Sequence, residues 1–279
     1  MTELPNGAES LHASAGRAEL NGETASADDL RVLALQNYGH FSTMRVVGGG
    51  VRGLDLHLAR LDAATRELFG CALEAARVRE CLRHIVGDRK DALALRITVF
   101  SRSFKRDRPG LPSKPDVLIT MNPARAAEQL PIRLKSFAYE RVSPRIKHVG
   151  TFELFHHRRL AQIDGFDDAL FIDSSGAVSE ASVWNIGFFD GQRVAWPNAP
   201  ALAGVSMQLL QEGLRERGVA SESRRIAYAD IGKLRSAFVS NALHPVRAVA
   251  AIDDSELVVD RNLIAMLEAC HESRALQPI

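Results

Sequence analysis

Residues 165–191 read GFDDALFIDSSGAVSEASVWNIGFFDG, and this stretch determines the predicted architecture of the second half of the chain. Two runs rich in apolar and β-branched residues, ALFID and VSEASVWNIGFFD, flank the turn Ser174-Ser175-Gly176, a pattern typical of two strands joined by a tight turn. A second turn at Asp190-Gly191 leads to a third strand, QRVAWP. With helices predicted before and after these strands, residues 131–279 are expected to form a larger, strand-rich C-terminal domain.

The first half of the chain predicts a smaller α/β domain over residues 19–125. Apolar and polar residues alternate from Leu30 onward, which favours a hairpin that leads into a helix ended by Gly70. One more helix and two strands follow, and residues 122–131 are expected to be a linker. Residues 1–18 are expected to be a disordered leader, since they have no signal or transit pattern.

Composition excludes several classes of partner. The chain has 279 residues, 46% of them hydrophobic, and 35 Lys and Arg against 34 Asp and Glu, so no global charge attracts nucleic acid or a membrane surface. No apolar run reaches the roughly 20 residues that span a bilayer. The three cysteines form no CxxC pair, which favours a reducing, cytoplasmic location.

Two local patterns are predicted to be structural only. The segment GGGVRG at 48–53 matches a dinucleotide fingerprint, but VRGLDLHL after it is interpreted as strand, so a hairpin turn is expected. His148, His156 and His157 lack the helical spacing of metal ligands, and no metal site is expected.

Lys147 is the strongest chemical candidate. Among six lysines it stands apart in PRIKHVGTF, between apolar residues at a predicted boundary between strand and helix. Partial burial penalises the ammonium form, lowers the pKa and frees the amine to form an imine. A snorkelling lysine at the end of an element is the competing interpretation of this segment alone.

The order of several motifs resembles the class IV aminotransferase family of pyridoxal phosphate enzymes. YGHFSTMRV, HLARL, Lys147, the 165–191 stretch, LAGVS and SNAL follow one another as they do in that family, from Leu20 to about Ala250. The resemblance implies a two-lobed α/β (α+β) fold, pyridoxal 5'-phosphate as cofactor, a small amino-acid-like substrate and a homodimer with the cofactor at the lobe junction.

The resemblance also implies roles for individual residues. Lys147 would form the Schiff base with the cofactor and then move the substrate proton. Glu180 would keep the pyridine nitrogen protonated, and Arg60 would bind the phosphate as a bidentate fork. A solvent-facing carboxylate and a surface arginine are the corresponding structural alternatives. The remaining residues expected to bind the cofactor are Asn185, Gly204, Val205, Ser206, Ser240 and Asn241.

Substrate contacts are expected from Tyr38 and Ser42 on the first active-site strand. Arg102, Arg106 and Arg108 in SRSFKRDRPG could bind a substrate carboxylate, although a solvated basic loop fits equally well.

The sequence leaves three alternatives for the function. The family as a whole favours amino transfer, whereas FSTMRV, IKH and SNALHPV are closer to the aminodeoxychorismate lyases. Phe152 stands where branched-chain members usually have tyrosine, which argues against a branched-chain substrate. A pyridoxal phosphate binding protein without turnover is the third alternative, and the presence of both Lys147 and Glu180 argues against it.

Overall fold

The computed structural model describes residues 16–124 and 130–279. Most of the predicted leader and the centre of the predicted linker lie outside the described residues. The helices are α1 (Ala27–Gln36), α2 (Leu54–Phe69), α3 (Ala75–Val86), α4 (Phe152–Ile163), α5 (Val205–Glu216) and α6 (Arg261–Glu272), with a 3₁₀ helix, η1 (Tyr228–Lys233). The strands of the first half are β1 (Arg17–Leu20), β2 (Glu23–Thr24), β3 (His40–Val46), β4 (Gly50–Arg52), β5 (Leu93–Phe100) and β6 (Asp116–Pro123). Those of the second half are β7 (Ile132–Ala138), β8 (Asp168–Ile172), β9 (Val178–Ala181), β10 (Asn185–Phe189), β11 (Val194–Pro197), β12 (Ser221–Arg224), β13 (Ser236–Ser240), β14 (Arg247–Ile252), β15 (Ser255–Glu256) and β16 (Leu276–Pro278).

The N-terminal lobe is an antiparallel sheet in the order β2-β1-β6-β5-β3, with α2 and α3 packed on it. Its core joins buried side chains of both helices to those of β3, β5 and β6. Strand β1 begins at Arg17, inside the stretch that was expected to be leader, and it pairs with β6 along its whole length.

The C-terminal lobe is built on a nine-stranded mixed sheet, ordered β12-β11-β10-β13-β14-β7-β8-β9, with β15 beside β14. Its two faces bury different side chains. On β13, Ala237 and Val239 face one apolar cluster, while Phe238 between them packs with Trp196 and with residues of α5 and α6 on the other face. The two lobes confirm the expected α/β architecture.

The glycine segment at 48–53 forms a tight turn, as expected. Gly48 and Gly49 have φ values of 56° and 77°, and Val47 and Gly50 exchange both backbone hydrogen bonds, at 2.9 and 3.0 Å. These positive φ values suit the twist of a two-residue hairpin and favour glycine. The interpretation of VRGLDLHL as continued strand was wrong, because β4 ends at Arg52 and α2 begins at Leu54.

Two further elements differ from the sequence predictions. The residues from Leu30 to Gln36 are helical, because Ser26 and Asp29 form a reciprocal capping box that starts α1. The strand expected over 178–190 is divided into β9 and β10 by a turn, in which Ala181 and Trp184 form an isolated bridge. The turn places β9 and β10 at different positions in the sheet.

The last strand returns to the first lobe. β16 pairs antiparallel with β4, and Ile279 packs against the N-terminal core. Residues 125–131 lie between the last strand of the first sheet and the first strand of the second, whereas β16 pairs with β4 of the N-terminal lobe. No helix in the described parts of the chain is both long enough and apolar enough to cross a membrane.

Candidate active site

A cavity of about 260 Å³ lies where the two lobes meet. The N-terminal lobe lines this cavity with side chains of β3, α2 and β5. The C-terminal lobe lines it with side chains of the β7–α4 connection, α4, β9, β10, the start of α5 and the end of β13. The polar and charged lining residues are Thr43, Arg60, Arg96, Arg141, Lys147, Thr151, Glu180, Ser182, Asn185, Ser240 and Asn241.

Lys147 stands on the connection between β7 and α4, which is held against the N-terminal sheet. The Phe41 N–H donates to the Lys147 carbonyl at 2.8 Å, and the Val149 N–H donates to the Gly39 carbonyl at 3.0 Å. A bridge between His40 and His148 continues this pairing. A residue of the second lobe is thus fixed by backbone hydrogen bonds to β3 of the first.

The Lys147 amine is desolvated in a cationic environment. Burial is the main cause that lowers its pKa to about 7, and the charges of Arg60, Arg141 and Arg96 lower it further, against an opposing effect of Glu180. Its Nζ lies 5.0 Å from the centre of the Phe41 ring. Near neutral pH a large share of this amine is unprotonated and nucleophilic, unlike an ordinary lysine.

Glu180 on β9 is a buried carboxylate, with 3% of its surface exposed. Burial raises its pKa, while Arg141 and the Leu202 N–H act in the opposite direction. Arg141 Nη1 lies 3.4 Å from Oε1, and the Leu202 N–H donates to Oε2 at 3.3 Å. Among the described residues that line the cavity, Glu180 is the only acid.

Arg141 was missed by the sequence analysis. Its side chain is 3% exposed, yet Nε and Nη2 have no hydrogen-bond partner among the described residues. It precedes Lys147 on the same connection, where nothing in the local sequence distinguishes it from the exposed Arg145. A buried guanidinium with two unsatisfied donors favours an anion in the cavity.

Arg60 is held by a chain of two buried polar residues. Its Nη2 donates to Ser42 Oγ at 2.6 Å, and Ser42 Oγ lies 2.7 Å from His57 Nδ1. Because arginine can only donate, the Ser42 hydroxyl accepts from Arg60, while the donor in its hydrogen bond with His57 Nδ1 depends on the tautomer of His57. Burial, with contributions from Arg60 and Lys147, holds the pKa of His57 well below its usual value, so the imidazole is neutral at neutral pH.

Among the described residues, no acidic side chain pairs with the guanidinium of Arg60. Its Nε has no hydrogen-bond partner in the described parts of the chain, and burial, with a contribution from Arg141, lowers its pKa to about 10. Arg60 therefore remains a cation at neutral pH and is available to an anionic ligand.

The start of α5 faces the same cavity. Gly204 caps this 12-residue helix and gives it no side-chain hydrogen bond, so its first N–H groups stay available. A Cβ on Gly204 would lie 1.9 Å from Asn185 Oδ1, which makes the close approach possible only for glycine. Asn185 in turn donates from Nδ2 to the Leu202 carbonyl at 2.7 Å and fixes the loop before the helix.

Ser240 and Asn241 lie beside this helix start. Asn185 and Ser240 are paired in register on β10 and β13, and the buried Ser240 hydroxyl has no partner among the described residues. Ser206 Oγ donates to the Asn241 carbonyl at 2.9 Å. Asn241 Oδ1 accepts the N–H groups of Leu243 and His244, so this side chain stabilises the turn.

Five residues expected to contact substrate do not line the cavity. Tyr38 packs between Phe69 and Phe104 and donates to the Leu68 carbonyl at 3.3 Å, and Ser42 lies behind Arg60. The arginines of the 101–110 loop lie elsewhere. Arg102 pairs with Asp29 at 2.7 Å and with Asp116 at 3.2 Å, Arg106 donates to the Leu35 carbonyl, and Arg108 is 71% exposed.

Phe152 also lies away from the chemistry. It opens α4, is 72% exposed and stacks on His156, whereas Thr151, Leu154 and Phe155 line the cavity. Across the described residues no group of three or more His, Cys, Asp or Glu could hold a metal ion.

The sequence matches the family model described as amino-transferase class IV over residues 39–252. This match covers most of the chain, and the chain therefore belongs to the class IV aminotransferase family. The family is pyridoxal phosphate-dependent, and its members and structural neighbours are transaminases or lyases, so the protein is an enzyme that uses this cofactor. No match to the sequence is found among curated proteins.

Solved structures share the fold at low sequence identity. The fold IV transaminase CpuTA1 from Curtobacterium pusillum is 23% identical, with a TM-score of 0.74 over 88% of this chain and 89% of that one. A branched-chain aminotransferase from Thermoproteus uzoniensis is 17% identical, with a TM-score of 0.81 over 92% and 94%. A putative 4-amino-4-deoxychorismate lyase from Legionella pneumophila is 19% identical, with a TM-score of 0.76 over 87% and 93%.

The residues of the cavity fit pyridoxal phosphate. The unpartnered Nε of Arg60, the free N–H groups at the start of α5 and the unpartnered Ser240 hydroxyl together suit a dianionic phosphate. The buried Glu180 carboxylate suits a protonated ring nitrogen, and the amine of Lys147 suits an aldehyde.

Proposed function

We propose that this enzyme transfers an amino group between a small amino acid and a keto acid, with Lys147 as the residue that bonds to pyridoxal phosphate. The observation that carries the proposal is the environment of Lys147. Lys147 lines a cavity between the lobes together with three arginines and one carboxylate, and the pKa of its amine is lowered to about 7.

The roles of the other residues follow from their contacts. Arg60, positioned by Ser42 and His57, binds the phosphate together with the N–H groups at Gly204 and Val205 and the hydroxyl of Ser240. Glu180, held by Arg141 and the Leu202 N–H, keeps a proton on the ring nitrogen. Bound pyridoxal phosphate supplies an electron sink that acidifies the substrate carbon next to nitrogen.

Lys147 has a second task in this proposal. The neutral amine of Lys147 would accept the proton from the substrate carbon next to nitrogen, and the ammonium so formed would serve as the acid that gives this proton back. A pKa near 7 suits both directions of this transfer, because neither form of the amine is strongly favoured at neutral pH.

The test compares wild-type protein with Lys147→Ala. We expect wild-type protein to carry the cofactor's absorption band, to lose it on addition of an amino donor and to form the corresponding keto acid. Lys147→Ala should hold cofactor without a covalent bond and should leave the band unchanged. Equal turnover by the two proteins would contradict the proposal.

Aminodeoxychorismate lyase is the second candidate reaction. The sequence segments FSTMRV, IKH and SNALHPV favour it, and the putative lyase from Legionella pneumophila shares the fold. The two reactions separate in one assay, since release of pyruvate from aminodeoxychorismate without a keto-acid acceptor would identify the lyase. Amino transfer from an amino acid to a keto acid would identify the transaminase.

We also infer that the enzyme acts as a cytoplasmic homodimer. Val142 and Phe152, on either side of the Lys147 segment, are 76% and 72% exposed, and such apolar residues beside a cavity favour burial against a second copy. Sedimentation equilibrium should give twice the mass of one chain. A monomer at micromolar concentration would contradict this inference.

A further inference from the structure

Asp168 is a buried carboxylate to which the proposed function assigns no task. It begins β8, and 1% of its surface is exposed. Its Oδ1 accepts the hydroxyl of Ser182 and the N–H of Ala169, the latter at 2.8 Å, and its Oδ2 accepts the indole N–H of Trp184 at 2.9 Å. Arg158 Nε lies 3.6 Å from the same Oδ2. Both oxygens therefore have hydrogen-bond donors, as burial of a carboxylate requires, and two of these donors belong to the segment between β9 and β10.

The segment between β9 and β10 is a wall of the cavity. Ser182, Val183 and Trp184 all line the cavity, and Trp184 is 6% exposed. The Ser182 N–H donates to the Ala169 carbonyl at 3.0 Å, which fixes the main chain of this turn to β8. The orientation of the Trp184 ring depends in addition on the hydrogen bond from its indole N–H to Asp168.

The indole of Trp184 presents an apolar surface to the cavity. Tryptophan has a single polar side-chain atom, Nε1, which can only donate. Because that donor is bound to Asp168, the rest of the ring offers a ligand contact area but no hydrogen bond. Val183 beside it extends the apolar surface. An uncharged, apolar group is therefore the ligand chemistry that suits this wall.

Asp168 also contacts a second wall of the cavity through Arg158. Leu154 and Phe155, about one turn earlier on α4, line the cavity, and the guanidinium of Arg158 approaches Asp168 from the same helix. The cavity volume of about 260 Å³ is small beside the roughly 300–1,000 Å³ of ordinary ligand pockets. Since pyridoxal phosphate must occupy part of this volume, the walls leave little length for the side chain of an amino donor.

We propose that Asp168 is a positioning residue that fixes the Trp184 ring as a cavity wall, and that this wall restricts the amino donor to a short apolar side chain. The inference rests on the proposed function and names the class of donor for the same site. Alanine and 2-aminobutyrate belong to this class, whereas norleucine is too long. Asp168 does not line the cavity itself and acts through Trp184.

The first test measures selectivity in the half-reaction, followed by loss of the cofactor's absorption band. The donors are alanine and norleucine, whose unbranched side chains differ only in length. We expect wild type to favour alanine by at least about tenfold in kcat/KM, and Trp184→Ala to raise the ratio of norleucine to alanine by about 30-fold or more. Asp168→Asn should raise the same ratio about 3- to 30-fold, through a lower KM for norleucine, because the amide has one acceptor oxygen where the carboxylate has two.

Two controls separate this role from a general loss of structure. Asp254→Asn is the matched change on the exposed turn between β14 and β15, and it should leave the ratio at the wild-type value. In a Trp184→Phe background, which lacks the indole N–H, Asp168→Asn should change the ratio less than about twofold. Cofactor content and melting temperature confirm that each variant is folded. Should Asp168→Asn fail to fold, Trp184→Phe removes the same hydrogen bond and is expected to raise the ratio to a similar extent.

The second test observes Trp184 directly and needs no turnover. The chain has two tryptophans, so Trp196→Phe leaves Trp184 as the only one. In this background, with and without bound pyridoxal phosphate, acrylamide quenching of fluorescence should rise about twofold or more in Asp168→Asn and stay unchanged in Asp254→Asn. An emission maximum at longer wavelength should accompany the rise, since an indole released from Asp168 meets water.

The two proposals fail in different ways. An unchanged ratio in Trp184→Ala, or a wild type that prefers norleucine, would overturn the limit on donor length. Unchanged quenching in Asp168→Asn, or a change in ratio that persists in the Trp184→Phe background, would overturn the role of Asp168. Absence of amino transfer from every donor would overturn the proposed function, whereas increased quenching in Asp168→Asn would still show that Asp168 fixes the Trp184 ring.

Discussion

In the proposed function the chemistry of the cavity depends on Lys147, and the surroundings of this side chain oppose its charged form. Four cationic side chains and one carboxylate line the same space, so the folded protein without cofactor holds unneutralised positive charge. Burial of such charge costs stability that a bound anion can restore. The residues that bind the cofactor are therefore expected to destabilise the protein in its absence.

Replacement of Lys147 by methionine should stabilise the cofactor-free protein at neutral pH. The lysine pKa is about 7 in the folded chain and about 10.4 when unfolded, so between these values the unfolded state binds a proton that the folded state does not. Stability of wild type relative to Lys147→Met thus rises with pH through this window. Below about pH 7 we expect the free energy of unfolding of Lys147→Met to exceed that of wild type by roughly 1–4 kcal/mol, and this difference should vanish near pH 10.4.

Urea unfolding of both cofactor-free proteins from pH 6 to pH 10 measures this difference. Lys147→Arg is the control, because it keeps a buried charge at every pH in the series and should show no gain. A constant difference between wild type and Lys147→Met across the series would contradict a lowered pKa for Lys147.

Ser42 gives a second prediction at the scale of single residues. The family resemblance implied a substrate contact for Ser42, whereas the Ser42 hydroxyl joins Arg60 to His57. Ser42→Ala should weaken cofactor binding about fivefold to tenfold, since a charge-assisted hydrogen bond to Arg60 is lost, and should leave KM for the amino donor unchanged at saturating cofactor. Fluorescence titration measures cofactor binding, and steady-state kinetics measure the KM for the amino donor. A raised KM with normal cofactor binding would favour a substrate contact for Ser42 instead.

At the scale of elements, the start of α5 depends on a close approach between Gly204 and Asn185. Gly204→Ala would place its Cβ 1.9 Å from Asn185 Oδ1, so the helix start or the asparagine must move. We expect cofactor affinity to fall at least about tenfold and the melting temperature to drop by several degrees.

A double variant tests the cause of this effect. Asn185→Ala removes the clashing atom, and the combination with Gly204→Ala should recover part of the cofactor affinity that Gly204→Ala loses. Thermal melts and cofactor titrations of the two single variants and the double variant measure the coupling. Additive losses would show that the contact is not responsible.

Sequence patterns predict some of the helices correctly and miss others. Helices α3, α5 and α6 have a clear apolar stripe, which predicts helices over residues 76–87, 204–218 and near 262–273, within a few residues of the observed bounds. Helix α1 has no fully buried residue, so its apolar pattern carries little information, and the capping pair Ser26 and Asp29 was the signal that would have predicted it.

Some residues of the candidate site could also be predicted from the sequence, and others could not. Lys147, Glu180, Arg60 and Gly204 lie in local motifs, and the structure brings all four to one cavity. Arg96 and Arg141 were missed because their positions depend on tertiary structure. Arg96 reaches the cavity through the pairing of β5 with β3, and Arg141 through an irregular connection folded against β9, and neither arrangement leaves a periodic pattern in the sequence.

At the scale of the whole molecule, strand β16 pairs with the part of the N-terminal lobe that leads into the proposed phosphate-binding residue Arg60. β16 pairs with β4, whose turn leads directly into α2 and Arg60. Deletion of residues 275–279 removes this pairing and the packing of Ile279. We expect the melting temperature to fall by about 4–8 °C and cofactor affinity to fall with it, since the loss of roughly 2 kcal/mol shifts a protein of this size by that amount.

A matched substitution separates pairing from chain length. Gln277→Ala keeps the strand and removes the side chain that accepts the Asp55 N–H at the start of α2, so its effect should be smaller than that of the deletion. Differential scanning calorimetry compares the two. A deletion variant with the melting temperature of wild type would show that β16 does not stabilise the N-terminal lobe.

The most direct test of the account is reduction of the holoenzyme with borohydride followed by peptide mass mapping. The account predicts that the mass of the reduced cofactor appears on the peptide that contains Lys147 and on none of the peptides that contain the other five lysines. Cofactor attached to any other lysine, or none retained by protein supplied with pyridoxal phosphate, would contradict it.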